Sequence, residues 1–155
     1  MSINKVREYL KQYNLDNKII ELTTSTATVE EAAKSLNCEE ARKSKTLSFK
    51  LKSKIILLVT SGNVKIDNLK FKAEFKERVH MLEYDKVEEE VGHPVGGVCP
   101  FGINDGIEVF LDISLKEYET VFPACGSAHT AIELTIEELE KTSNYKKWVD
   151  VCNIK

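Results

Sequence analysis

Hydrophobic positions recur along this chain in short blocks whose period switches between that of a helix and that of a strand. Val6, Leu10 and Tyr13 fall at helical spacing within residues 3–14, which predicts an amphipathic opening helix. Ile19-Ile20-Glu21-Leu22 then reads as a short strand. Thr28 with Glu31 three positions later makes a capping box ahead of Ala32, Ala33 and Leu36. Asn37 suits the stop, so a second helix is expected over about 29–37. From Lys45 to Thr60 the pattern becomes that of strands: Thr46 to Leu51 alternates, Lys52-Ser53-Lys54 turns, and Ile55 to Val59 is continuously apolar. A hairpin follows, its second strand buried on both faces.

Further along, Asp67 is placed to cap a helix containing Leu69, Ala73 and Phe75, and Val79 to Leu82 reads as a strand. Asp85 with Glu88 forms another capping box, and Gly92 suits the left-handed residue that ends such a helix. His93-Pro94-Val95-Gly96-Gly97-Val98-Cys99-Pro100-Phe101-Gly102 holds too much Gly and Pro for a helix or a central strand, so a shaped loop is expected. Strands are expected at Ile107 to Leu111, Thr120 to Ala124 and Ala131 to Leu134, with Trp148 to Val151 placed to close the sheet. Ser114 with Glu117, and Thr135 with Glu138, offer two further capping boxes. Short strands interleaved with short helices predict an α+β fold: a mixed, barrel-like β-sheet flanked by short helices, in a single domain over residues 1–155.

Composition narrows the class. At 42% hydrophobic and 30% charged, the 155 residues lie near the average of folded globular proteins, which excludes a disordered or collagen-like chain. The longest apolar run, Ile55 to Val59, has the length of a strand and not the roughly 18–20 residues of a membrane span. The opening residues mix charges where a secretory signal would be apolar, so the cytoplasm is the expected location. Cys38, Cys99, Cys125 and Cys152 form no CxxC pair, which leaves reduced thiols as the simplest expectation.

Charge adds an asymmetry that the net value of -3 conceals. Residues 1–78 carry 16 Lys or Arg against 10 Asp or Glu, whereas residues 79–155 carry 6 against 15. A basic face for a polyanion is one consequence, with Lys43, Lys45, Lys50 and Lys52 as phosphate contacts; scattered, solvated lysines fit the same numbers. No GxGxxG or P-loop pattern is present, so neither a nucleotide cofactor nor a metal is expected.

Three separated segments each adjoin an expected strand end: Lys43-Ser44-Lys45-Thr46-Leu47, Gly96 to Gly102, and Ala124-Cys125-Gly126-Ser127-Ala128-His129. A glycine pair lets backbone N–H groups approach a ligand, and such donors stabilise an oxyanion; an ordinary tight turn explains the same residues. Taken together, in this order and running into Ile132-Glu133-Leu134, the segments resemble the YbaK/ProX family, relatives of the editing insertion domain of bacterial prolyl-tRNA synthetase.

The resemblance covers about residues 20–140 and implies a hydrolase without cofactor that removes a small amino acid, commonly Cys or Ala, from mischarged tRNA(Pro). It implies that Lys45 is the catalytic residue, holding the terminal ribose-phosphate of the acceptor end, with Thr46 and Leu47 beside it. Gly96, Gly97, Val98 and Pro100 would lie against the aminoacyl group, and Gly126, Ser127 and His129 would form another wall. Prolyl-tRNA synthetase is the implied protein partner. The stretch after Gly126 departs from the Gly-Lys-Arg-Gly-like turn of the cysteine-specific members, which leaves the amino acid open. Three rival readings remain: a thiol hydrolase using Cys99 or Cys125 with His93 or His129, a metal site from the same four residues, and an acceptor-end binding module without turnover.

Overall fold

The computed structural model describes residues 2–22 and 28–155. The chain opens with α1 (Ser2–Lys11), which buries Val6 and Leu10, followed by a 3-10 turn and strand β1 (Ile20–Glu21). In α2 (Val29–Leu36) the Thr28 hydroxyl accepts the Glu31 N–H at 3.1 Å, and Asn37 ends the helix at φ 53°. The expected hairpin is β2 (Lys45–Lys50) and β3 (Ile55–Thr60), in antiparallel register from Lys45 opposite Thr60 to Lys50 opposite Ile55. Strand β4 (Val64–Ile66) and α3 (Asn68–Phe75) follow, with the Asp67 carboxylate accepting the Lys70 N–H.

After the short α4 (Val87–Val91), Gly92 sits at φ 102° and the chain enters the Gly- and Pro-rich loop. Then come β5 (Glu108–Asp112), β6 (Thr120–Val121), β7 (Thr130–Ala131), β8 (Leu134–Thr135), α5 (Ile136–Ser143), β9 (Lys147–Val149) and β10 (Cys152–Ile154). Thr135 and Glu138 form both halves of the expected capping box of α5.

The principal sheet has the order β2-β3-β5-β9, antiparallel at its first pair and parallel at the next two. Successive residues of β3 and β5 feed opposite cores, because side chains alternate across a strand. Leu57, Val59, Val109 and Leu111 face one cluster with α1, α4 and α5. Ile56, Leu58 and Phe110 face the other, where Phe49, Phe71 and Phe75 stack in sequence at centroid distances of 4.9 and 4.7 Å.

Several expectations require correction. Among the described residues the ladders make one four-stranded sheet and three two-stranded ones, so the mixed sheet does not close into a barrel. Val79 to Leu82 is no full strand; it meets β2 through a single bridge, Phe49 to Met81, and two flanking backbone bonds. Asp85 lies inside a 3-10 turn and does not cap α4. Ser114 does not cap either: the buried Asp112 accepts the Ser114 N–H through Oδ2 and the Val151 N–H through Oδ1, both at 3.0 Å. A buried carboxylate needs such donors, and these two fix the turn after β5 to the chain after β9.

Phe71 is fully buried at the centre of the aromatic cluster. Phe71→Ala should cost about 3–5 kcal/mol, read as a lower urea midpoint at unchanged m-value, because the cavity left behind cannot collapse between α3 and the sheet.

Candidate active site

A cavity of about 360 Å³ lies beside β2, the outer strand of the principal sheet. Lys45, Thr46, Leu47 and Ser48 form one wall, and Gly96 and Val98 of the glycine loop form part of the wall opposite. Lys43, Ser44, Leu82, Val87 and Ala124 complete the inner end, all of them buried. At the mouth stand Thr28, Met81, Val95 and Tyr84, the last 78% exposed, so the rim is mostly apolar, and the inner end mixes Leu82, Val87 and Ala124 with the polar Lys43 and Ser44.

Lys45 is half-buried, and its ammonium donates to the Val64 carbonyl of β4. Burial, with a smaller contribution from the Lys155 charge, holds its pKa below the ordinary lysine value. The expected cation is therefore at the cavity, but anchored at rest to a neutral acceptor. Lys50 and Lys52 are exposed, whereas Lys43 is only 4% exposed and cannot belong to a surface patch.

Lys43 and Ser44 owe their depth to the turn before them. The Arg42 guanidinium donates to the Thr120 carbonyl at 3.2 Å and to Glu133 at 2.9 Å, and it lies 5.1 Å above the Phe122 ring. On the other side Gly62 packs so closely that a Cβ there would fall 2.1 Å from the Glu40 carbonyl and 2.5 Å from that of Lys43. Held between these contacts, Lys43 turns inward, and among the described residues its ammonium finds one acceptor, the Ser44 carbonyl at 3.2 Å. Burial pushes its pKa down to about 8. The Ser44 hydroxyl, 1% exposed, has no hydrogen-bond partner among the described residues.

The second and third segments meet through backbone. The Gly126 N–H donates to the Gly97 carbonyl at 3.0 Å, and the Gly97 N–H donates to Pro94 at 2.9 Å. A Cβ on Gly97 would come within 2.4 Å of Gly126 and Ser127 backbone atoms, so glycine is required there by the neighbouring turn rather than by a ligand. Gly97, Pro100, Gly126 and Ser127 thus stand behind the cavity wall; Ser127 accepts the His129 N–H at 3.1 Å, and the His129 side chain is exposed outside the cavity.

His93 is buried with both ring nitrogens engaged. Nε2 donates to the Phe101 carbonyl at 2.6 Å, which leaves Nδ1 to accept from the Ser2 hydroxyl. It ties α1 to the loop and has no free nitrogen for a base. Burial raises the Cys99 thiol to about 12 and that of Cys125 well above its ordinary value, and neither lines the cavity. Thiols so placed are inert. All four cysteines are unpaired, and among the described residues no cluster of three or more His, Cys, Asp or Glu is arranged to hold a metal.

The profile of the aminoacyl-tRNA editing domain matches residues 23–142. The chain belongs to this family. The editing domain is 47% identical over 153 residues to the uncharacterized protein YwhH of Bacillus subtilis (strain 168), covering 98% of both chains. Over 104 residues it is 28% identical to the proline–tRNA ligase of Kosmotoga olearia, a match that takes in 65% of this chain but 18% of the ligase. It also superposes, with TM-score 0.88, 27% identity and coverage of 98% and 97%, on a crystal structure described as a candidate trans-editing enzyme for prolyl tRNA synthetase.

The three segments singled out in the sequence reach this cavity through Lys43 to Leu47, Gly96, Val98 and Ala124, whereas Leu82, Val87 and the rim residues Met81 and Tyr84 were not singled out. Lys43 read as a phosphate contact of a basic face, with no sign of its burial, and an exposed Tyr84 looks like any surface tyrosine until its neighbours are known.

Two outcomes are expected from these contacts. Gly97→Ala should destabilise the editing domain by about 1–3 kcal/mol in urea titrations, since the added carbon meets backbone that must move. Lys43 has a folded-state pKa near 8 against 10.5 ordinarily, so between these values the unfolded chain binds more protons and this group's contribution to stability rises with pH. Lys43→Met should therefore be more stable than the parent by up to about 3 kcal/mol below pH 8, an advantage that shrinks toward pH 10.5, as paired urea titrations across that range would show.

Proposed function

We propose that the protein is a trans-editing deacylase, a hydrolase that cleaves the ester joining a wrongly attached small amino acid to the acceptor end of tRNA(Pro). The observation that carries this reading is the shared cavity, where Lys45-Thr46-Leu47 of one family segment faces Gly96 and Val98 of another within an editing-domain fold. The related segment within proline–tRNA ligase supports tRNA(Pro) as the acceptor and prolyl-tRNA synthetase as a partner. Alanine and cysteine are the amino acids that the family resemblance suggests.

The chemistry asks little of the protein beyond placement. An aminoacyl ester is already activated: water attacks the carbonyl carbon, the ribose oxygen leaves as a hydroxyl, and the neighbouring ribose hydroxyl can take part by orienting that water once the ester is held in a reactive geometry. Lys45 supplies that hold. Its ammonium rests on the uncharged Val64 carbonyl, and a phosphate oxygen of the acceptor end is the stronger partner because it carries charge. The apolar rim of Met81, Tyr84 and Val95 offers a surface on which the terminal base stacks, with the aminoacyl group pointing inward. The reading requires no nucleotide, metal or enzyme thiol.

Lys45→Ala should lower the single-turnover deacylation rate by on the order of 100-fold, since misplacing the ester by about 1 Å costs that much. Lys45→Arg keeps the charge with altered geometry and should restore only part of it. A folded Lys45→Ala protein within about threefold of the parent rate, less than 1 kcal/mol, would remove Lys45 from the reaction. Tight acceptor-end binding by the parent protein without release of any amino acid would make it a binding module.

A further inference from the structure

The deacylase reading leaves two buried polar groups of the cavity without a task. Lys43 presents three donors and, among the described residues, satisfies one of them on the carbonyl of its own neighbour, at 3.2 Å. The Ser44 hydroxyl beside it satisfies none among the described residues. Both residues line the cavity at its inner end, and both are more than nine-tenths buried. Leaving such groups unpaired costs about 1–3 kcal/mol each, and more for a charged one, so their retention at a binding surface calls for a ligand that completes them.

The shape of the substrate says which of its parts that is. The tRNA lies outside, so phosphate and ribose stop at Lys45 and the rim. The aminoacyl group passes inward between β2 and the glycine loop. Its side chain is the far end of the molecule and meets the inner end of the cavity, where Leu82, Val87 and Ala124 are apolar and Lys43 and Ser44 are not. A methyl side chain would leave the polar pair as unpaired as it is in the free protein. An oxygen one or two bonds beyond Cβ, as in a hydroxyl or a short carboxylate, accepts from the ammonium and pairs with the hydroxyl.

We propose, building on the deacylase reading, that Lys43 and Ser44 form a polar floor selecting an aminoacyl group with oxygen in its side chain, a hydroxyl or a carboxylate. Alanine and cysteine, which lack that oxygen, are then the poorer substrates. The discrimination is of the strong kind, because a site built to hydrogen-bond a substrate oxygen is left with unpaired buried groups when the oxygen is missing. A hydroxyl needs only the two hydrogen bonds, whereas a carboxylate also neutralises the Lys43 charge, so the two sources differ in how much they owe to Lys43 relative to Ser44.

The test charges one tRNA(Pro) acceptor in turn with alanine, cysteine, serine, threonine and aspartate and compares kcat/KM for the parent, Lys43→Met and Ser44→Ala. The parent should favour an oxygen-bearing ester over alanine by at least about tenfold. In Lys43→Met that ratio should collapse by about the same factor. A serine or threonine preference that both variants abolish identifies the hydroxyl, and an aspartate preference lost mainly in Lys43→Met identifies the carboxylate. Alanyl or cysteinyl ester cleaved as fast as the rest by the parent, or an unchanged ratio in folded variants, overturns the floor and leaves the deacylase reading standing. Calorimetry with hydrolysis-resistant amide-linked seryl-, aspartyl- and alanyl-adenosine separates the two readings in the other direction. Preferential binding of an oxygen-bearing analogue with no ester cleaved upholds the floor and removes the deacylase, while equal binding of all three overturns the floor.

Discussion

Strand β3 is filled by side chains on both faces, and this double burial fixes where everything else can go. Ile56 and Leu58 look into the aromatic cluster while Leu57 and Val59 look into the larger core, all at or near zero exposure. A strand so covered satisfies its backbone only through neighbours in the sheet, which it finds in β2 and β5. Being second in the order, it leaves β2 as the outer strand, with a flank that the chain around Met81 covers over a short stretch only. The cavity occupies the remainder. Its location is thus a consequence of sheet order, and its wall is rigid because the strand behind it cannot shift without opening two cores at once.

Against that wall the glycine loop is held by contacts it makes away from the cavity. Gly97 and Gly126 meet backbone to backbone, and His93 ties the loop to α1 through Ser2 and to its own far end through Phe101. These contacts fix the loop from behind, and Gly96 and Val98 shape the opposite side of the cavity. Such an arrangement suits a reaction whose barrier yields to placement more than to a strong nucleophile.

Two lysines separated by one residue behave differently because the structure solvates them differently. Lys45, at the start of β2, keeps partial access to water and rests on the Val64 carbonyl. Lys43 lies inside, wedged between the Arg42 contacts and Gly62, and burial outweighs the other influences on it and lowers its pKa to about 8. A buried cation without an anionic partner opposes folding, so its presence at the inner end of the cavity fits a contribution to ligand recognition better than one to stability.

The chain's own pattern determined the elements that rest on local chemistry. Thr28, Thr135, Asn37 and Gly92 act at helix ends where neighbours in sequence are enough to satisfy the backbone, and the apolar run Ile55 to Val59 is long enough to demand two-sided cover whatever its partners. The ordered segments around Lys45, Gly96 and Gly126 were legible as one family's, and all three reach the same cavity, the third through Ala124 alone. Partners distant in sequence were not legible. Asp112 rather than Ser114 caps the turn after β5 because Val151, 39 residues on, shares the carboxylate. Gly97 is explained by Gly126, and the depth of Lys43 by Thr120, Phe122, Glu133 and Gly62. Hydrophobic period and capping report how a segment meets water and its own backbone, whereas desolvation depends on what other segments exclude the water, and only the tertiary structure decided that.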